Sequence, residues 1–338
     1  MNNRAIFGAG NKLDLLLHFI QHDFPSGVTI IDPDGSLARA VLDIIPRADT
    51  ERAFYFDPAN YPASFNVFEN AKDKSKLVQD LCAFFDALFP AGAETLTRLN
   101  SNFCLANVLT VIADDPRSTF MSVLEFLSDK QFREGCLRNC SNKIALRNWD
   151  AIEGWDIGQR KNAFAQIETK LGTLLLSPVL HDTLQLKCTH FFEHNEILIA
   201  DLSRAKIGDR ASKLLGTLLI SRAKTPVYIN DFHFFASDYL ASLFSQGGYT
   251  VAVQFLSALP QNVAQELLGF DEKFIFRTTP EDADRLKYSV GIMERRVIVD
   301  LGPSEFLPGL ALNPPTTTGR SQAVLNRSIA CHTRQRRK

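Results

Sequence analysis

Twice along this chain, short apolar runs rich in β-branched residues alternate with helical periodicity, and between the two series lies a long stretch with helical periodicity alone. Arg4 to Phe7 is an apolar run that meets Gly8-Ala9-Gly10, and Leu13 to Ile20 follows with apolar residues on most faces, as in a helix packed on a sheet. Val28 to Ile31 ends in the turn Asp32-Pro33-Asp34-Gly35, Ser36 to Ile45 reads as a helix stopped by Pro46, and Ala53 to Phe56 closes on Asp57-Pro58. Strand, helix, strand, helix, strand at this spacing predicts a parallel α/β sheet.

From Asp73 to about Ser177 the periodicity is helical, as in Leu77, Leu81, Phe84, Phe85 and Leu88, in Leu105 to Ile112, in Phe120 to Leu127 and in Phe164 to Leu175. The alternation then returns. Ile197 to Leu202 (ILIADL), Val227 to Ile229, Val251 to Phe255 and Phe274 to Phe276 read as strands, and Val297 to Leu301 as a last one. Helices fall at Asp209 to Arg222, Tyr239 to Phe244, Gln261 to Leu268 and Glu281 to Tyr288. The expected organisation is a split α/β core over residues 1–72 and 190–302, an all-α insertion over 73–189, and a basic, flexible tail over 303–338.

Composition narrows the class. The chain has 338 residues, 45% hydrophobic and 22% charged, which excludes disordered and collagenous chains. The formal charge of −1 is a cancellation: the stretch from Phe306 to Lys338 holds six basic residues and no acid, so residues 1–305 carry a net −7. Apolar runs are too short to span a bilayer, and the start lacks a secretory pattern. Six sparse cysteines, with Cys136 and Cys140 the closest pair, point to free thiols in a reducing compartment and a cytoplasmic protein.

In a parallel α/β sheet, ligands bind off the carboxyl ends of the strands. Four exits here carry polar residues: Gly8-Ala9-Gly10-Asn11-Lys12, Asp32, Asn230-Asp231 and Gln254. A glycine turn with Lys opening a helix supplies what a phosphate cradle needs, although the same glycines also suit a plain tight turn. Asp32 could hold a cation through water or only make its turn.

The stretches IIDPDGSLARAVLDIIP, FYFDPANYPASFNVFEN, NEILIADLSRAKIGDRASKLLGTLLIS, VYINDFHFF, VAVQFL and FIFRTTPEDADRL, in this order, resemble the type IV secretion coupling proteins. Those belong to the HerA/FtsK branch of RecA-like P-loop ATPases that move DNA. The resemblance covers roughly residues 4–290. It implies a RecA-like core with an inserted all-α domain, ATP and Mg²⁺ as cofactors, DNA as substrate, hexameric rings, and secretion or conjugation membrane components as partners. Peripheral attachment at the inner membrane would come through those partners.

Residue by residue, the carry-over is incomplete. The nucleotide-binding candidates are Gly8, Gly10, Asn11, Lys12, Asp32 and Asn230; the catalytic candidates are Asp231, Gln254 and Arg277. The family's phosphate loop is two residues longer, and its metal-binding hydroxyl falls here on Leu13, followed by Asp14. The family's Asp-Glu pair is Asn230-Asp231. Each lost charge-assisted hydrogen bond costs about 1.5–3 kcal/mol. The expectation is therefore an ATPase homologue with impaired hydrolysis, the alternative a pseudo-ATPase serving as a structural or adaptor subunit. Gln254 matches the family's γ-phosphate-sensing glutamine, and Arg277 either serves a neighbouring site or pairs with an acid.

Three further signals compete. His190-Phe191-Phe192-Glu193-His194 fits the H-x-x-E-H zinc pattern, but the strand ILIADL follows at once, whereas zinc chemistry needs one long helix, so no metal site is expected. His18 and His22 could in principle share a metal but read better as a solvent-facing pair, and His233 is either functional, given its place at the site, or an orienting or surface histidine. The 26 phenylalanines could stack on bases, yet their placement on apolar faces favours core packing.

Overall fold

The structure, a computed structural model, describes residues 2–60, 66–69, 73–88, 95–185, 196–291 and 294–310. Its centre is an eight-stranded sheet made of β1 (Arg4–Phe7), β2 (Val28–Asp32), β3 (Ala53–Phe56), β4 (Ile197–Asp201), β5 (Val227–Ile229), β6 (Tyr249–Val253), β7 (Glu272–Ile275) and β8 (Leu307–Leu310). The order is β3-β4-β2-β5-β6-β1-β7-β8, parallel throughout except for the antiparallel β7–β8 pair. The sequence VTIID, ILIAD and YTVAV is buried at every position, because helices cover both faces of the sheet.

Alternation within each strand divides the core in two. Ile6, Val28, Ile30, Ile197 and Ile199 pack with Leu16, Ile20, Leu37 and Val41 from the helices Lys12–Asp23 and Ser36–Leu42. Ala5, Phe7, Ile31, Leu198, Ala200, Val251 and Val253 face the other way, beneath the helices Asp209–Arg222 and Gln261–Leu268.

Between β3 and β4 the described chain is wholly helical, from Lys74–Leu88 to Pro178–Gln185. Local chemistry starts these helices: Asp129, Asn142 and Asp156 each accept two backbone N–H groups as N-caps. Trp149, 2% exposed, sits edge-on to Phe126 at 4.8 Å and stacks on Phe164. Phe84, Phe85, Phe120 and Phe126 are buried as well, so the aromatics here fill a core; Phe89, Phe191 and Phe192 lie outside the described residues. The helix Lys74–Leu88 joins the two parts, packing on Asp209–Arg222 and Asp238–Leu243. That junction encloses a cavity of about 10 Å³, the size of one water. Inside it the Tyr239 hydroxyl lies beside Asp80 and Ser221 without a well-aligned hydrogen bond to either.

Two expectations change at the carboxyl end of the chain. The β-branched run expected as the last strand is instead the short helix Arg296–Val299, which buries Ile298 completely. The last strand is β8, inside the stretch expected to be tail, and residues 311–338 lie outside the described residues. Leu-Pro-Gly-Leu is a poor strand sequence, tolerated because an edge strand need not donate a full ladder.

An ionic cluster around two buried carboxylates ties β3 to β4. Lys206 reaches Asp201 at 2.7 Å and Asp57 at 3.0 Å, and the Tyr55 hydroxyl donates to Asp201 at 2.8 Å. Burial works against the Asp201 charge, but Lys206 and Tyr55 outweigh it and hold its carboxyl below the usual value of 3.8. Burial likewise opposes the Lys206 charge, and the two carboxylates overcome this to hold its pKa above 10.5. Asp201 thus stabilises the fold above its unfolded pKa, a contribution lost as pH falls through the lower folded value; the Lys206 contribution is lost only as pH rises past 10.5. Lys206→Met should destabilise the protein at neutral pH by about 2–3 kcal/mol, reduced from a fully buried pair because Lys206 is partly solvated. In urea titrations the deficit should narrow as pH falls below 3.8 and the stranded Asp201 protonates.

Candidate functional site

Along the rim formed by the carboxyl ends of the strands, the exits run Asp57 (β3), Asp201 (β4), Asp32 (β2), Asn230-Asp231 (β5), Gln254 (β6), Gly8 to Lys12 (β1) and Arg277 (β7). The rim is acidic over its first half and cationic at β1 and β7, with neutral Gln254 between the two. The strands are in parallel register, Asp32 opposite Asp201 and Phe7 opposite Val253 and Ile275, so these exits are level.

Most of the acids serve their own turns. Asp57 accepts the N–H of Ala59 at 3.2 Å, and Asp201 that of Ser203 at 3.1 Å. Asp32, fully buried, accepts Ala38 N–H at 2.9 Å, Asp34 N–H at 3.2 Å and the Asn230 side-chain amide at 3.3 Å. Burial raises the Asp32 pKa, and the bonds from Ala38, Asn230 and Asp34 oppose the rise. Asp32 therefore makes the turn and orients Asn230.

Asp231 behaves differently. It makes no capping bond to the turn it begins, and its φ of 45° is the only positive value outside glycine among the described residues. Such a conformation costs of order 1–3 kcal/mol at a non-glycine residue and concentrates at functional sites. Its carboxylate faces the Lys12 ammonium at 3.8 Å, across the end of the intervening strand β6. Burial lowers the Lys12 pKa, and Asp231 recovers part of the loss.

The Gly8 to Lys12 loop is tied down on its own backbone. Gly8 N–H donates to Val253 O at 3.0 Å, Ala9 N–H to Arg277 O at 2.7 Å, Asn11 N–H to Pro303 O at 2.8 Å and Lys12 N–H to Gly10 O at 2.8 Å. Gly8 has φ +97°, and a Cβ there would lie 2.6 Å from Phe276 O; one on Gly10 would lie 2.4 Å from the Phe276 ring. The glycines are thus required by close passage of the β7 exit. These four N–H groups point at protein carbonyls, so a phosphate would have to displace them to be cradled as the sequence reading expects.

Of the remaining candidates, Gln254 and His233 are exposed, and Arg277 is exposed with no ion pair among the described residues. Asn11 donates its side chain to Asp14, and Leu13, at the hydroxyl position, offers no metal ligand. The Lys12 ammonium suits a polyphosphate end, but the Asp231 carboxylate already paired with it opposes a second anion, and Leu13 and the amide of Asn230 fit Mg²⁺ poorly. Among the described residues no group of three His, Cys, Asp or Glu could hold a metal, and His190 to His194 lie outside them. His18 and His22 are exposed. The Cys136 and Cys140 thiols are pushed up by burial, hence neutral. No helix among the described residues is long and apolar enough to cross a membrane.

The fold is a RecA-like α/β core with a mainly parallel sheet and an all-α unit inserted between β3 and β4. It matches the bacterial conjugative coupling protein TrwBdeltaN70 in its unbound form, with a TM-score of 0.61 at 13% identity, over 93% of this chain and 84% of that chain. It also matches the plasmid coupling protein TrwB in complex with the non-hydrolysable GTP analogue GDPNP (0.60, 12%, 94% and 88%) and with the ATP analogue ADPNP (0.61, 13%, 93% and 83%). No protein-family model and no curated protein matches the chain.

Sequence reasoning located the strand exits but not the partners of Asp57 and Asp201. The available signal was that three apolar runs, IID, YFD and IAD, all end in aspartate. Asp32→Ala should lower stability by about 2–4 kcal/mol, since it strands two backbone donors and an amide. The shift will be read as a lower urea midpoint at unchanged slope.

Proposed function

We propose that this chain is a nucleotide-binding DNA-transfer ATPase homologue of the coupling-protein kind, with impaired hydrolysis. The observation that carries the reading is the pairing of Lys12 at the β1 exit with Asp231 at the β5 exit, separated by the strand that ends in Gln254. The cation and the neutral amide at neighbouring strand ends can engage a terminal phosphate once it displaces Asp231 from Lys12. The same fold in TrwB has been solved with ATP and GTP analogues bound.

Impairment follows from chemistry. Phosphoryl transfer depends on positioning and charge stabilisation, and here the loop N–H groups are engaged, Leu13 replaces a hydroxyl and Asn230 replaces an acid. The engaged N–H groups also favour the second reading, an adaptor subunit without turnover. DNA, further copies of the chain in a ring, and membrane components of a transfer assembly are the partners proposed under either reading. The acidic body places any DNA contact on a local basic stripe or on the basic end of the chain.

Calorimetric titration with ADPNP tests the nucleotide reading. The expected result is weak binding that Lys12→Ala abolishes and Asp231→Asn strengthens, because the carboxylate competes with phosphate for Lys12. Absence of binding by the unaltered protein would remove the nucleotide reading and leave the adaptor.

A further inference from the structure

We infer that Asp282 is a positioning residue for this site, a clip whose single carboxylate holds the turn after Gln254 and the turn after Arg277 in one register. Its consequence for nucleotide recognition rests on the reading above; the clip itself rests on geometry alone.

The turn Leu256–Ala258 begins two residues after Gln254, and its cap residue Phe255 has no side chain able to satisfy it. The first N–H groups of any helical turn lack an internal partner. Here both are satisfied from another element: Asp282 Oδ2 accepts Leu256 N–H at 2.8 Å, and Oδ1 accepts Ser257 N–H at 2.9 Å. Asp282 is 0% exposed and lies in the helix Pro280–Leu286, just beyond Arg277. The Thr278 hydroxyl donates to the same carboxylate at 3.4 Å, and the Asp282 N–H is held by Thr279 at 3.3 Å.

The clip connects to the phosphate-side loop as well. Val253, directly before Gln254, accepts Gly8 N–H, and Arg277 itself accepts Ala9 N–H. The exits of β6, β1 and β7 are therefore one hydrogen-bonded unit with Asp282 as its outer tie. A buried carboxylate is costly unless its partners repay the desolvation. A local cap would need an acceptor for one turn; this one spans two turns that adjoin exposed polar side chains of the site, Gln254 and Arg277. Asp282 touches no reacting group, so its effect is on where those side chains stand.

Amide hydrogen exchange on the unliganded full chain tests the mechanics without nucleotide. In Asp282→Asn, where an amide N–H faces a backbone N–H, protection should fall about tenfold at Leu256 and Ser257 and, together with them, at Ala9. Strand β2 should be unchanged. Should that variant not fold, Thr278→Val disturbs only the β7 side and must still lower protection at Leu256 and Ser257. Loss confined to the mutated turn in either variant overturns the clip.

Titrations with ADPNP and ADP then test the consequence. Asp282→Asn should reduce the preference for ADPNP several-fold, as Gln254→Ala should, and the double variant should lose no more than either alone. An unchanged preference beside a lowered melting temperature would overturn the positioning role and leave a structural one. If the unaltered protein binds neither nucleotide, the functional reading fails by itself and the exchange result alone decides the clip.

Discussion

A parallel sheet covered on both faces leaves polar chemistry one place to go, the rim where strands turn into helices. The N–H groups of those turns must be satisfied there. In this protein the requirement is met largely by aspartates at the strand ends: Asp57, Asp201 and Asp32 each accept backbone N–H groups of their own turn, and Asp282 serves the turn beyond β6. The acids need counter-groups in turn, which Lys206, Tyr55 and Asn230 supply. Over β3, β4 and β2 the rim is engaged in its own hydrogen bonds, which leaves the β5–β6–β1 part as the place for a ligand.

Among the described residues, only the part of the rim around β5, β6 and β1 is left with an acid and a cation facing each other instead of capping their own turns. Lys12 has lost solvent, and Asp231 is held in a left-handed conformation opposite it. The glycine loop beside them is short, and four of its N–H groups are bound to carbonyls of β6, β7, the Pro303 segment and the loop itself. The same features that give the site its polarity make it self-satisfied, so an incoming phosphate competes with the protein for both its lysine and its amides. In the proposed function, weak nucleotide binding and poor turnover share one physical cause.

Much of this was legible in the sequence because burial of a parallel strand writes an uninterrupted β-branched run, and the first polar residue after it marks the exit. Val28 to Asp32, Ile197 to Asp201 and Val227 to Asn230 are cases in point. What stayed hidden depends on strand order or on contacts between distant elements. The Lys12–Asp231 pair requires β6 to lie between β5 and β1, and nothing local encodes that order. The Asp282 clip joins residues 25 and 26 apart. The Val297 run carries strand propensity but folds as a helical turn because Ile298 finds a buried seat, and Leu307 to Leu310 pairs despite Pro308 because it lies at the sheet edge. In both places tertiary context overrides local preference.

In the proposed function, a self-satisfied phosphate site leaves this fold with little or no capacity for turnover. Steady-state ATP hydrolysis in saturating Mg²⁺, with and without DNA, tests it most directly. The account predicts a rate close to background in both conditions. Robust Mg²⁺-dependent hydrolysis that disappears in Lys12→Ala would contradict it.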